Sequence, residues 1–439
     1  VNKLRPVCIG ATIWKCVVCG KNHTIAIRKF DNSLFVWGSN TKNQLFESNL
    51  PNTNTSPQII PNIDITELDK IICDDETTYI LTKNKDIFVY GSNEFSQHGE
   101  YNLDNFTYTR PKYSNLNIKE IIPKGYINVN ISNLTNPTML NDFSKSFLFE
   151  NGLVFNSGKN EPIMIGMKNG NETHILNPIP MNPTPWKHVS DYRTLYPKSF
   201  SMYVREDGVL FAYGYNNSGN FGNGIQTTLC STTLKNISSL NLGDLKNKKV
   251  VKTITLDSDV TQTQGALTSF VLGEDGDLYV AGYYSQYFIG TTTSTKVFKK
   301  VSVPNVTKWK NIYKGDDTGF FAIDDKNDVY VWATLPKPMY TGITNYNKNL
   351  QKISNLSNIE SIVGEHDTIK NHTFFLDKNK KLFGCGLNEY YQLGNNTNTN
   401  TSMPISIGTT VWKQVSTDDF HVLAIRESDG ALFSWGHNV

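Results

Sequence analysis

Short apolar runs alternate with polar turns along the whole chain. The clearest case is His421–Ile425, then the polar turn Glu427–Gly430, then Ala431–Trp435. The same unit recurs as Phe200–Val204, Glu206-Asp207-Gly208 and Val209–Tyr213, and again as Phe270–Leu272, Glu274-Asp275-Gly276 and Asp277–Ala281. Asp-Gly, Asn-Gly and Asn-Lys tolerate a positive φ, so each unit predicts a β-hairpin. Apolar positions are nowhere gathered at a 3.6-residue period, so the chain is expected to be all-β.

The hairpins are copies of one another. Trp14–Asn40 laid over Trp412–Asn438, a constant offset of 398, aligns without a gap and matches at 13 of 27 positions. Further copies end near Gly91, Gly158, Gly214, Gly282, Ala333 and Gly386, between the first at Gly38 and the last at Gly436. Their spacing of 50 to 68 residues is too long for ankyrin or tetratricopeptide repeats and near that of propeller blades. Two further strands per copy are expected, a Trp-Lys-x-Val-Ser segment and a weaker one such as Pro404–Ile407. The expectation is therefore a single β-propeller domain over 1–439, built from four-stranded blades.

HTIAIRKFDNSLFVWGSNTKNQLF (from His23) and HTFFLDKNKKLFGCGLNEYYQLGNN (from His372) resemble repeats of the regulator of chromosome condensation family. That unit runs His-Thr-x-Ala-Leu, Asp-Gly, Leu-Tyr-x-Trp-Gly, Asn, then Gly-Gln-Leu-Gly. Gln392-Leu393-Gly394 and Gly219-Asn220-Phe221-Gly222 keep its tail, whereas copies 2, 3 and 6 keep little beyond the hairpin. The resemblance implies seven blades, yet eight hairpins are counted, so seven to eight blades are expected. The last copy stops short of a fourth strand. Leu4–Ile9, which resembles Pro404–Ile407, is expected to supply it and so to close the ring through the N- and C-terminal segments. The recurrent Gly is expected to let neighbouring blades approach, and the repeated aromatics to wedge between them.

Composition adds mostly exclusions. Lys+Arg number 42 against 40 Asp+Glu, without the concentrated basic footprint of a nucleic-acid binder. Lys246, Lys248 and Lys249 form the longest basic cluster and are assigned to a solvated loop. No apolar run is long enough to span a membrane, and Val1–Pro6 has no apolar signal core. Cys16-x-x-Cys19 near His23 has the look of a metal motif. Side chains three apart on a strand point to opposite faces, however, so no metal site is assigned. His23, His372 and His421 share one repeat position and are read as structural, since a catalytic group is rarely repeated around a ring. Asp207, Asp275 and Asp429 are turn residues. No catalytic residue, cofactor or metal is expected.

Function is then expected in loops carried by the ring. Pro123–Lys145 in copy 3, Asp191–Ser199 in copy 4 and Asp257–Thr268 in copy 5 are long at one topological position. They should form one partner-binding face, with Tyr126, Asn128, Asn133, Tyr192, Arg193, Tyr196, Asp259 and Gln262 as its candidate contacts. Copy 4 carries a second excursion, Ser231–Lys249. The leading expectation is a non-enzymatic scaffold for protein–protein interaction. Its partners would be other subunits of an assembly or a surface receptor, without specific nucleic acid or membrane insertion. The wording of the repeats and the Asn/Thr-rich surface suggest a structural or attachment component of a virus or bacteriophage particle, placed at a virion or extracellular surface rather than in a nucleus. The resemblance implies as alternatives a guanine-nucleotide exchange factor for a small GTPase, or an adaptor or inhibitor.

Overall fold

Each apolar run of the repeat becomes a strand of an antiparallel sheet. The computed structural model describes residues 3–437 apart from 21, 47–49, 61–67, 75, 83–86, 93–117, 123–143, 150–153, 160–173, 181–185, 193–199, 239, 258–266, 315–318, 334–348, 366–371 and 418–419. Within these residues the only α-helix is Gln286–Ile289. Unit 5 shows the pattern in full: Val250–Asp257, Leu267–Gly273, Leu278–Gly282 and Thr295–Lys300 lie in that order in one sheet. Eight hairpins of second and third strands are described, one per copy. The architecture is a β-propeller of antiparallel blades.

Two long strands join units. Thr401–Thr417 pairs first with Lys381–Gly386 of unit 7, then with His421–Arg426 of unit 8. Lys3–Cys19 pairs with Ala431–Gly436 of unit 8 and with His23–Arg28 of unit 1, placing Val7 opposite Ser434 and Cys8 opposite Phe433. The segment Leu4–Ile9 thus runs beside the last hairpin, and the two ends of the chain share one sheet.

The core lies between units. One cluster joins Trp14, Val17 and Cys19 of unit 1 to Leu423, Ile425 and Leu432 of unit 8. Another joins Val18, Ile25 and Val36 of unit 1 to Ile71, Cys73 and Ile80 of unit 2. Equivalent clusters join units 4 and 5, 5 and 6, 6 and 7, and 7 and 8. The period-2 alternation of a strand explains this, because successive side chains point at opposite neighbours. It also settles the cysteine pair: Cys16 packs on the unit 2 side and Cys19 on the unit 8 side.

First strands of successive units stand side by side and are tied by their third residue. The His188 ring donates from Nε2 to the Thr253 carbonyl at 3.0 Å, and Lys252 Nζ donates to Asn311 Oδ1 at 3.1 Å. The Gln414 side chain donates to the Val17 carbonyl at 2.7 Å and accepts from its N–H at 3.4 Å. Burial and the adjacent Lys252 charge push His188 down to about 3, so it is neutral when it makes this bond.

Two expectations are corrected. The recurrent Gly serves its own hairpin first, although at Gly282 the neighbouring unit is also close, with Asn220 Cβ 3.3 Å from an added Cβ. Gly38 and Gly436 have φ of 103° and 96°, and a Cβ there would lie 2.3 Å from the Asn22 or Phe420 carbonyl oxygen of the same hairpin. The positive φ turns the strand so that the next N–H, of Ser39 or His437, donates to that same carbonyl, at 2.6 and 2.8 Å. In unit 6 the glycine has crossed the ladder, and Gly319 stands opposite Ala333. Second, Ser231–Lys249 is not an irregular excursion. Its start belongs to the strand Thr227–Asn236, and Ile237, Leu242 and Leu245 are buried in the core between units 4 and 5. Apolar residues at these spacings hold the segment down. Lys248, assigned to a solvated loop, is ion-paired to Asp275 of the next unit at 2.8 Å.

Candidate interaction face

Each sheet has two edges with different chemistry. Second-to-third-strand turns occupy one. Arg28, Arg205 and Arg426 there form two-point hydrogen bonds with Asp31, Asp207 and Asp429, and each guanidinium lies 4.8–5.6 Å from the ring centre of Phe35, Phe211 or Phe433. Phe35 and Phe433 also meet Trp14 and Trp412 edge-on at 5.2 and 5.3 Å. The acidic turn residues are therefore consumed in structure. Arg426 above all, with the Ala431 amide, lowers the Asp429 carboxyl to about 2.

The opposite edge carries the first-to-second and third-to-fourth connections. The tail of the repeat is built around a buried asparagine. Asn40, Asn216 and Asn388 each accept, through Oδ1, the N–H five residues on, from Leu45, Phe221 and Leu393, at 2.9–3.0 Å. This inserts Leu45, Phe221 and Leu393 into the core. It also turns backbone carbonyls toward the next unit: Gln392 accepts from Trp435 Nε1 at 2.7 Å, and Gln44 from the Thr78 hydroxyl at 3.0 Å. The Thr78 proton is thereby committed, so His23 Nε2 donates to Thr78 Oγ1 at 2.9 Å. Thr417 bonds His372 Nε2 in the same way at 2.5 Å. These histidines are structural links between units, as expected from their repetition.

Aromatic side chains collect at this edge. Tyr390, Phe420 and His437 form a cluster with ring centres 4.8–5.7 Å apart, and Tyr390 is 38% exposed. Tyr283 meets Tyr284 edge-on at 4.9 Å, and Tyr284 stacks on Tyr287 at 5.5 Å. Sequence reasoning passed over these residues, although the dipeptides Tyr283-Tyr284 and Tyr390-Tyr391 after the repeat glycine were a visible signal. Of the expected contacts, Tyr126, Asn128, Asn133, Arg193, Tyr196, Asp259 and Gln262 lie outside the described residues. Tyr192 does not belong to a loop. It is the last residue of the strand Trp186–Tyr192, opposite Phe200, because the hydrogen-bond ladder runs on through Asp191. Leu267 and Thr268 likewise belong to a strand.

Residues 14–44 and 380–425 each match the family described as "Regulator of chromosome condensation (RCC1) repeat". The chain carries RCC1-type repeats. Human WBSCR16 has a similar fold, with 13% identity, a TM-score of 0.54, and coverage of 98% of this chain and 88% of that one. Prp20p of Saccharomyces cerevisiae, whose structure was described with its binding properties to Gsp1p and histones, is 18% identical, with a TM-score of 0.51 over 97% of this chain and 83% of that one. Yeast RCC1 (Prp20) in its structure with Kap60 gives a TM-score of 0.53 at 14% identity, covering 97% of this chain and 81% of that one. These likenesses establish the fold of the RCC1 repeats.

Proposed function

We propose that this protein is a non-enzymatic scaffold that binds protein partners through the edge carrying its first-to-second and third-to-fourth strand connections. The observation that supports this most is the pairing of half-exposed aromatics with backbone already rigid beneath them. Tyr390 and Phe420 sit on a loop and a strand start anchored by Asn388 and Thr417. Aromatic groups held in place lose little entropy on binding and dominate protein interfaces. The strand ends that flank 123–143, 193–199 and 258–266 lie at the same edge. The titratable groups of the repeat are spent in turns and inter-unit bonds, which leaves the reading non-catalytic. The kinds of partner named for Prp20p are consistent with a protein ligand.

Exchange on a small GTPase rests on the repeat family alone, and a role in a virus particle on the style of the repeats. No structural observation favours either. Affinity capture by the full chain, compared with Tyr390→Ala/Phe420→Ala and with a deletion of 123–143, tests the proposal. Partners should be lost from one or both variants while the variants keep the parent's melting temperature. An unchanged set of captured proteins at unchanged yield would refute it.

A further inference from the structure

The hairpin-turn edge carries a separate feature between units 6 and 7. A cleft of ≈ 520 Å³ opens there, lined by Lys310, Asn311 and Tyr313 from one unit and by Glu360, Lys378 and Lys380 from the next, with Ile323 and Ile359 in its wall. Its charges are not balanced. Lys380 is paired with Glu360 at 2.6 Å. Lys310 has a neutral partner, Asn327 Oδ1 at 2.8 Å, and among the described residues neither it nor Lys378 has an ion pair. Other cations on this edge are either ion-paired, as in Arg28–Asp31, Lys352–Asp328 and Lys248–Asp275, or bonded to single neutral groups, as Lys15 is to Asn32 and Lys326 to the Asn305 carbonyl. The cleft is set apart by bringing Lys310, Lys378 and Lys380 together with one carboxylate. Behind the wall, buried Lys252 donates to Asn311 Oδ1 and lies 5.0 Å from the centre of the Tyr313 ring.

We propose that this cleft binds an acidic peptide segment of a protein partner, one whose carboxylate side chains are spaced by uncharged ones. An ammonium group offers three donors, so Lys310 can keep Asn327 and still take a carboxylate. Tyr313, Ile323 and Ile359 are only 1–3% exposed and close the floor of the cleft. The volume lies in the range of pockets that enclose a small ligand, enough for two or three side chains. Glu360 in the lining repels a continuous run of phosphates, but a carboxylate flanked by an uncharged residue can avoid it. That is the ground for a peptide over a nucleic acid strand. This site is distinct from the loop edge and does not depend on the proposal made for it.

The test is fluorescence anisotropy on the full chain at low and physiological salt. The probes are a labelled octapeptide of alternating Glu and Leu, its Gln/Leu analogue and a labelled DNA octanucleotide. The Glu/Leu peptide should bind, weaken with salt, and lose about tenfold or more in affinity, roughly 1.4 kcal/mol, in Lys310→Gln/Lys378→Gln. Lys378→Arg should retain binding, and Glu360→Gln should tighten it. Thermal melting of each variant separates lost binding from lost folding, and Lys378→Gln alone, at an exposed turn, gives a second reading if the double variant is unstable. No peptide binding, equal binding of the Gln/Leu analogue or of the DNA, or indifference to the lysine substitutions would overturn the proposal.

Discussion

Single residues in this protein are fixed by backbone conformation as much as by burial, and the glycines show the difference. Gly10 and Gly38 both have positive φ, at 65° and 103°. A Cβ at Gly10 meets nothing within 4 Å, whereas at Gly38 it would strike the Asn22 carbonyl. Gly10→Ala should cost about 1 kcal/mol from the left-handed backbone alone, and Gly38→Ala about 3 kcal/mol, adding a clash that the hairpin must open to relieve. Urea unfolding of the two variants gives the comparison, and equal losses would refute this account of the repeat glycine. The turn carboxylates act more gently. Arg426 holds Asp429 to about 2, below its value in an unfolded chain. The interaction therefore favours the folded state above roughly pH 4 and is lost as the pH falls toward 2. Between pH 5 and 2.5 the urea midpoint of the parent should fall more than that of Asp429→Asn. The effect is small because the pair is exposed, and parallel pH profiles would count against it.

At the scale of an element, the asparagine-centred loop does what a helix cap does elsewhere: one side chain satisfies backbone groups that a tight turn leaves without partners. Asn388 is fully buried, accepts the Leu393 N–H, and directs its amide nitrogen at the Thr397 carbonyl and Asn395 Oδ1, at 2.8 and 3.0 Å. Asn388→Ala should lower stability by about 2–3 kcal/mol, since it strands buried polar groups and loosens the loop that seats Leu393. Asn398→Ala, on the exposed side of the same segment, should stay within about 0.5 kcal/mol. Denaturant titration distinguishes them. The same loop turns the Gln392 carbonyl to Trp435, so the Asn388 variant should also raise the exposure of Trp435, read as a red shift of tryptophan emission at unchanged secondary structure.

Across the whole molecule, cohesion comes from clusters shared between consecutive units, and the pairing of Lys3–Cys19 with Ala431–Gly436 extends this to the chain ends. Deleting residues 1–9 should expose the edge of the last hairpin and lower the melting temperature by several degrees. It should also produce concentration-dependent association in sedimentation velocity, because a free strand edge pairs with other chains. A monomeric, equally stable deletion would show that this pairing is dispensable. The sequence by itself determined the hairpins, their copies and the type of repeat, since turn residues and period-2 apolar runs are local and are repeated many times. It also placed Leu4–Ile9 beside the last hairpin, by likeness to Pro404–Ile407, and set Cys16 and Cys19 on opposite faces. Only the tertiary structure decided the rest. The reason for the repeat glycine lies in a carbonyl across the hairpin. The burial of Ile237, Leu242 and Leu245 depends on the next unit's Phe298 and Val250. The Tyr390–Phe420–His437 cluster and the Lys310–Lys378 cleft join residues from different units. Local pattern is set by the backbone, but a site made by two neighbouring units exists only once they are packed side by side.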